Sequence, residues 1–163
     1  ALYATRPVTP FRYALARLLS VAIPVSALLL IPGWGMLGMR LGILQDVSLA
    51  ESLLLGLKVA LAALPIAWAY GGIAVASGAI AGRLRWALLV ALIAFMSPDW
   101  IAGSIELDTE ISVGPSGSAA ALLKQLFEIG DWGTGLFAAL ILVVYGLFGL
   151  GITAYQFSKK AKP

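Results

Sequence analysis

The stretch from Ser52 to Gly82, SLLLGLKVALAALPIAWAYGGIAVASGAIAG, holds thirty-one residues with no acidic group and one base, Lys58. About 20 apolar residues cross the hydrocarbon of a bilayer. This run is therefore long enough to span with tilt and to leave a Gly/Ala-rich tail against a neighbouring helix. The rest of the chain agrees with a bilayer setting. Of 163 residues, 61% are hydrophobic and 12% charged, and the mean hydropathy is +0.97, far from the composition of a soluble domain. The expected fold is an all-α integral membrane protein, a single multi-pass domain over residues 1–163.

Four spans follow from the apolar runs, at about 11–31, 53–76, 84–101 and 133–156. Ala1 to Pro10 reads as an extended arm on the membrane surface. Pro24 and Pro65 predict kinks, because proline removes a backbone donor and clashes with the preceding turn. Pro32-Gly33 is expected to end the first span. The following GWGMLG matches G-x-G-x-x-G, but without the strand, helix and acidic partner of a βαβ unit it does not read as a dinucleotide fingerprint. Its expected role is a glycine-rich helix exit with Trp34 at the interface. Gly71-Gly72 is a candidate interruption of the second span. Trp86 to Ser97 is a continuous run of twelve residues, too short to cross alone, so the third span should reach about Ile101 through or beside Pro98, with Asp99 near water. In the polar region 104–132, Leu122, Leu123, Leu126 and Phe127 recur at helical spacing against Lys124, Gln125 and Glu128. That pattern predicts an amphipathic helix lying on the membrane, or a contact with a soluble partner.

Sorting charges by side gives an orientation. With four spans, Arg6, Arg12, Arg17, Arg83, Arg85, Lys159, Lys160 and Lys162 fall on one face. Asp46, Glu51, Asp99, Glu106, Asp108, Glu110, Glu128 and Asp131 fall on the other. The positive-inside rule then puts both termini on the cytoplasmic or matrix side, in a bacterial inner membrane or an organellar inner membrane. Trp34, Trp100 and Trp132 are the expected anchors of the opposite interface, and Tyr155 brackets the last span. Lys58 either snorkels outward or faces a partner carboxylate. Gly72, Ala76, Gly78, Gly82, Gly146 and Gly149 are the expected helix-packing positions. Gly78 to Gly82 forms a G-x-x-x-G of the kind that lets backbones approach closely.

Candidates for chemistry are few. The sequence contains no histidine and no cysteine, which removes the usual general base, the commonest haem ligand, thiolate metal sites and disulfides. It also contains no asparagine, so N-glycosylation is excluded. Glu106, Asp108 and Glu110 would share a face if extended, yet they lack the spacing and glycine of an EF-hand and read as a solvated acidic loop. No catalytic, cofactor-binding or metal-binding residue is expected. Structural lipid, carotenoid or quinone would fill apolar grooves without a dedicated ligand. No basic patch with interleaved aromatics points to nucleic acid.

GLKVALAALPIAWAY, residues 56–70, followed by GRLRW at 82–86 resembles the second span and short basic loop of importer permeases of the ATP-binding-cassette class. The resemblance covers about a fifth of the chain and implies a permease-like transporter subunit. The family's coupling loop, with EAA and a downstream glycine, is not in the sequence. The reading that best accounts for the missing redox ligands and catalytic groups is a non-catalytic structural or accessory subunit of a larger membrane complex. A respiratory or photosynthetic electron-transport assembly is the expected kind, with other membrane subunits and lipids as partners. A component of a membrane transporter is the alternative.

Overall fold

The computed structural model describes residues 9–43, 48–104, 113–127 and 132–160. These form five helices: α1 (Pro10–Ile43), α2 (Leu49–Ala81), α3 (Leu84–Ser104), α4 (Pro115–Phe127) and α5 (Trp132–Lys160). Four of them, all but α4, are long and apolar enough to cross a membrane. The N-terminal arm at 1–8, Asp46, the acidic trio at 106, 108 and 110, Glu128, Asp131 and Lys162 lie outside the described residues, as do the side chains of Arg40 and Trp132.

The ends of α2 are set by local chemistry. Ser48 and Glu51 form a reciprocal capping box, the Ser48 hydroxyl accepting from the Glu51 amide at 3.2 Å, which satisfies donors that have no helical partner. At the other end Gly82 adopts φ 67°, and its N–H reaches the Gly78 carbonyl at 3.3 Å. A left-handed residue reverses the chain, and glycine adopts that conformation without the Cβ penalty. With only Gly82 and Arg83 between them, α2 and α3 form a tight antiparallel pair.

Two helices run through positions expected to break them, and α3 takes the expected course past Pro98. The first does not end at Pro32-Gly33 but continues to Ile43. Gly33 there lies against Val59, so close that a Cβ would sit 2.7 Å from Val59 Cγ1, and the Trp34 indole N–H donates to the Gly56 carbonyl at 3.5 Å. α2 passes uninterrupted through Gly71-Gly72, and α3 passes through Pro98 to Ser104. Packing gives a reason: Gly33 lies on Val59, Gly71 on Ala22 and Gly72 on Gly146, and tertiary contact of this kind outweighs the local propensity of a breaker. Pro24, Pro32, Pro65 and Pro98 are accordingly all interior to helices.

α2 is the centre of the bundle and touches each of the other four helices. It runs antiparallel to α1, with Gly71 at Ala22 and Gly33 at Val59, and antiparallel to α3, where Tyr70 meets Phe95 edge-on at 4.8 Å. Against α5 it runs parallel, with Ile66 and Ala69 clustered with Ala138 and Leu142 and Gly72 next to Gly146. Ala14, Leu18, Ala22 and Leu150 close a second core between α1 and α5. At that end Tyr13 stacks on Phe157 at 4.3 Å, so the start of α1 and the ends of α2 and α5 come together with the described bases Arg12, Arg17, Arg83, Lys159 and Lys160.

The expected surface helix is present but differently placed. Rather than lying apart from the spans, α4 buries Ala119 and Leu122 in the core formed with α2 and α5. Its apolar stripe finds protein side chains on two neighbouring helices. The pattern of Leu122 and Leu126 fixed the helix and its wet face, but a membrane surface and a groove between helices demand the same stripe.

Candidate functional site

The beginning of α4 gathers polar groups from three helices. A helix start leaves backbone N–H groups without intrahelical partners and concentrates partial positive charge there. Pro115 occupies the first helical position, where its missing N–H costs nothing. The donors that follow are met from another helix: Asp99, one residue after Pro98 on α3, accepts from the Ser116 hydroxyl and from the Gly117 N–H, the latter at 3.4 Å. Gly114 makes the approach possible, since a Cβ there would coincide with the Asp99 carboxyl group. Opposite, the Tyr145 hydroxyl of α5 donates to the Val113 carbonyl at 3.3 Å. Ser118 is fully buried one turn into the helix.

This node lies far from both ends of α5. Tyr145 is the fourteenth of the 29 residues of α5, roughly 20 Å from either end at 1.5 Å rise per residue. At its far end α4 brings Gln125 against Gly135, where a Cβ on the glycine would lie 3.2 Å from Gln125 Cβ. α4 is therefore a half-helix, running antiparallel to α5 from its middle back to its start. Beside the node an apolar groove of about 510 Å³ is lined by Leu92, Ile93, Met96 and Trp100 with Asp99 and Ser116.

A second close approach joins α2 to α5. A Cβ on Gly72 would lie 2.7 Å from Gly146 Cα and 3.0 Å from its carbonyl oxygen, and one on Gly149 would fall inside the Gly72 peptide. Backbone meets backbone here, and only glycine allows it. The Trp68 indole fills the notch over Gly146 and donates its N–H to the Val143 carbonyl at 3.3 Å. Beneath the crossing Ser77 and Thr153, both buried, bond back to Ile73 and Gly149 at 2.7 and 2.8 Å. In lipid, helix association rests on such van der Waals contact and interhelical hydrogen bonds, since leaving lipid for protein gives an apolar side chain little.

Of the expected packing positions, Gly72, Gly146 and Gly149 meet at this crossing, and Ala76 is buried one turn beyond Gly72. Gly78 and Gly82 behave differently: nothing lies within 4 Å of a Cβ at either, and Gly82 acts as the turn residue described above. Trp34 and Trp100 are exposed on α1 and α3 at the end away from the clustered bases, and Tyr155 is exposed near the end of α5. Sequence reasoning missed the partnership of Asp99 with α4, expecting that carboxylate near water. The signal was in Gly114-Pro115-Ser116-Gly117, a helix start with proline at its first position, which leaves open what accepts its donors. Nothing in the sequence announced the pairing of Trp68 with Val143.

Asp99 and Ser116 are in contact, and the chain contains no histidine. Among the described residues no three His, Cys, Asp or Glu side chains gather as a metal site would require. No protein-family model matches the chain, no curated protein matches it, and no solved structure matches it.

Proposed function

We propose that this chain is a non-catalytic membrane subunit that works inside a larger assembly, its partners being other membrane subunits and lipid. The observation that carries the reading is α3. Its span Leu84–Ile101 has the lowest mean hydropathy of the four, 1.5, and 0% of it is buried within the chain. It nevertheless carries Arg85 and Ser97, and of its polar residues it is Asp99 that α4 meets. The least apolar span is thus the one its own chain covers least, which is the signature of a surface completed by another subunit. The setting that follows is a bacterial or organellar inner membrane with both termini on the cytoplasmic or matrix side, supported by the clustering of bases at one end. A respiratory or photosynthetic electron-transport complex suits a subunit without redox ligands of its own.

A second reading, a permease-like component of a transporter, draws on α4. Helices that stop part-way through a bundle are a device of transporters, where their ends face a substrate path. The test for both is gentle detergent extraction from native membranes, native electrophoresis and mass spectrometry of the co-migrating chains. Redox subunits in fixed stoichiometry support the first reading, and nucleotide-hydrolysing or substrate-binding subunits support the second. Recovery as a lone monomer refutes both.

A further inference from the structure

We propose that the groove at the basic end of α1, α2 and α5 binds the phosphate headgroup of an anionic phospholipid. The groove measures about 370 Å³, within the range of small-molecule sites. α1 contributes Arg17 and Ser20, α5 contributes Gln156 and Lys160, and Gly78 of α2 with the capping Gly82 contributes a floor where no neighbouring atom takes the space a Cβ would occupy. The two cations therefore stand around a recess whose α2 side carries only small side chains and Val75.

Arg17 is already oriented. Its Nε donates to the Tyr13 hydroxyl at 3.1 Å, its guanidinium lies 5.5 Å from the Tyr13 ring centre, and that ring is held by stacking on Phe157. One side of the planar fork is fixed and its terminal nitrogens remain for a phosphate, the geometry arginine recognises best. Among the described residues neither Arg17 nor Lys160 meets a carboxylate: Glu51 caps the far end of α2 and Asp99 caps α4. The carbonyl ends of α2 and α5 oppose an anion here, but with about half a charge each. The amino end of α1 offsets one of them, and two full cations decide the sign.

The occupant is a lipid because of position. If the four apolar helices cross a bilayer, this end lies at headgroup level, and Val21 and Val75 continue the groove wall toward the apolar part of the spans. Basic pockets between membrane helices on the cytoplasmic side take anionic headgroups, each base contributing about five-fold in affinity.

The test uses the full chain purified in a neutral detergent and titrated with phosphatidylglycerol, with phosphatidylcholine as the zwitterionic control. Bound lipid is counted by native mass spectrometry, and thermal stability is followed in parallel. Phosphatidylglycerol should bind and stabilise the chain while phosphatidylcholine does neither. Arg17→Gln and Lys160→Gln should each weaken it about five-fold, and Arg17→Lys, which keeps the charge but not the fork, should fall between wild type and Arg17→Gln. Lys159→Gln removes the same charge one residue away and outside the groove lining, and it should change binding less than about two-fold, below the worth of one base near the surface. Equal binding of the two lipids overturns the proposal, as does an effect of Lys159→Gln equal to that of Lys160→Gln. Inorganic phosphate that displaces the lipid at equal concentration overturns the lipid assignment in favour of a soluble anion. Should Arg17→Gln fail to fold, exposed Lys160 at the end of α5 carries the test alone.

Discussion

Replacing Gly149 by alanine places a methyl group where the peptide of Gly72 already lies. Two effects of opposite sign compete. Alanine favours a helix over glycine by about 1 kcal/mol, and inserting a methyl into a packed site costs typically about 1–3 kcal/mol. At Gly149 the obstacle is backbone on a helix that also packs against α1, α3 and α4, so no rotamer change relieves it and the upper end of that cost applies. The net expectation is a loss of roughly 1–2 kcal/mol, about tenfold in the folded-to-unfolded ratio. Two residues on, Gly151 has nothing within 4 Å of its Cβ position, and the same substitution there should gain about 0.5–1 kcal/mol. Unfolding in mixed micelles, followed by circular dichroism and tryptophan fluorescence, compares the two variants on one helix under one condition. Wild-type stability for Gly149→Ala, or equal destabilisation by Gly151→Ala, would remove the backbone crossing as the reason α2 and α5 adhere.

Asp99→Ala should leave the first turn of α4 without its acceptor at a cost of about 0.5–2 kcal/mol, the range for lost helix caps. Hydrogen exchange of the Ser116 to Ala119 amides should then accelerate while those of α2 hold, and unchanged protection would disprove the capping role. Gly82→Ala meets no neighbour yet should destabilise by about 1–2 kcal/mol, because φ 67° is strained for any residue with a Cβ. A neutral result in thermal unfolding would mean that the turn tolerates another conformation. Trp68→Phe keeps an aromatic ring over Gly146 but loses the bond to Val143, worth about 0.5–1.5 kcal/mol. The loss should vanish in a background where Gly146→Ala has already closed the notch.

What the sequence disclosed and what it withheld divide along a physical line. Spans, capping residues and the amphipathic stripe of α4 depend on periodicity within one segment, and the run from Ser52 to Gly82 announced α2 on its own. Breakers were over-weighted: Pro32-Gly33 and Gly71-Gly72 carry penalties calibrated on isolated helices, whereas here neighbouring helices hold the backbone together. The glycines showed that small residues matter without showing where. Gly72 and Gly149 meet although two helices separate them in sequence, and Gly78 shares their composition while facing an open groove. Asp99 looked like an interface residue because its partner lies on a different helix, and nothing local to Asp99 encodes that partner.

The parallel pairing of α2 with α5 also sets a timetable for assembly. Trp68 and Val143 are 75 residues apart, so at about 5–20 residues per second of synthesis the first waits roughly 4–15 s for the second. During that interval α1 and α3 can dock on α2 by short connections, while Gly72 lacks its backbone partner and the Trp68 indole its acceptor. The backbone crossing at Gly72 is thus among the last contacts of α2 that the order of synthesis allows to form.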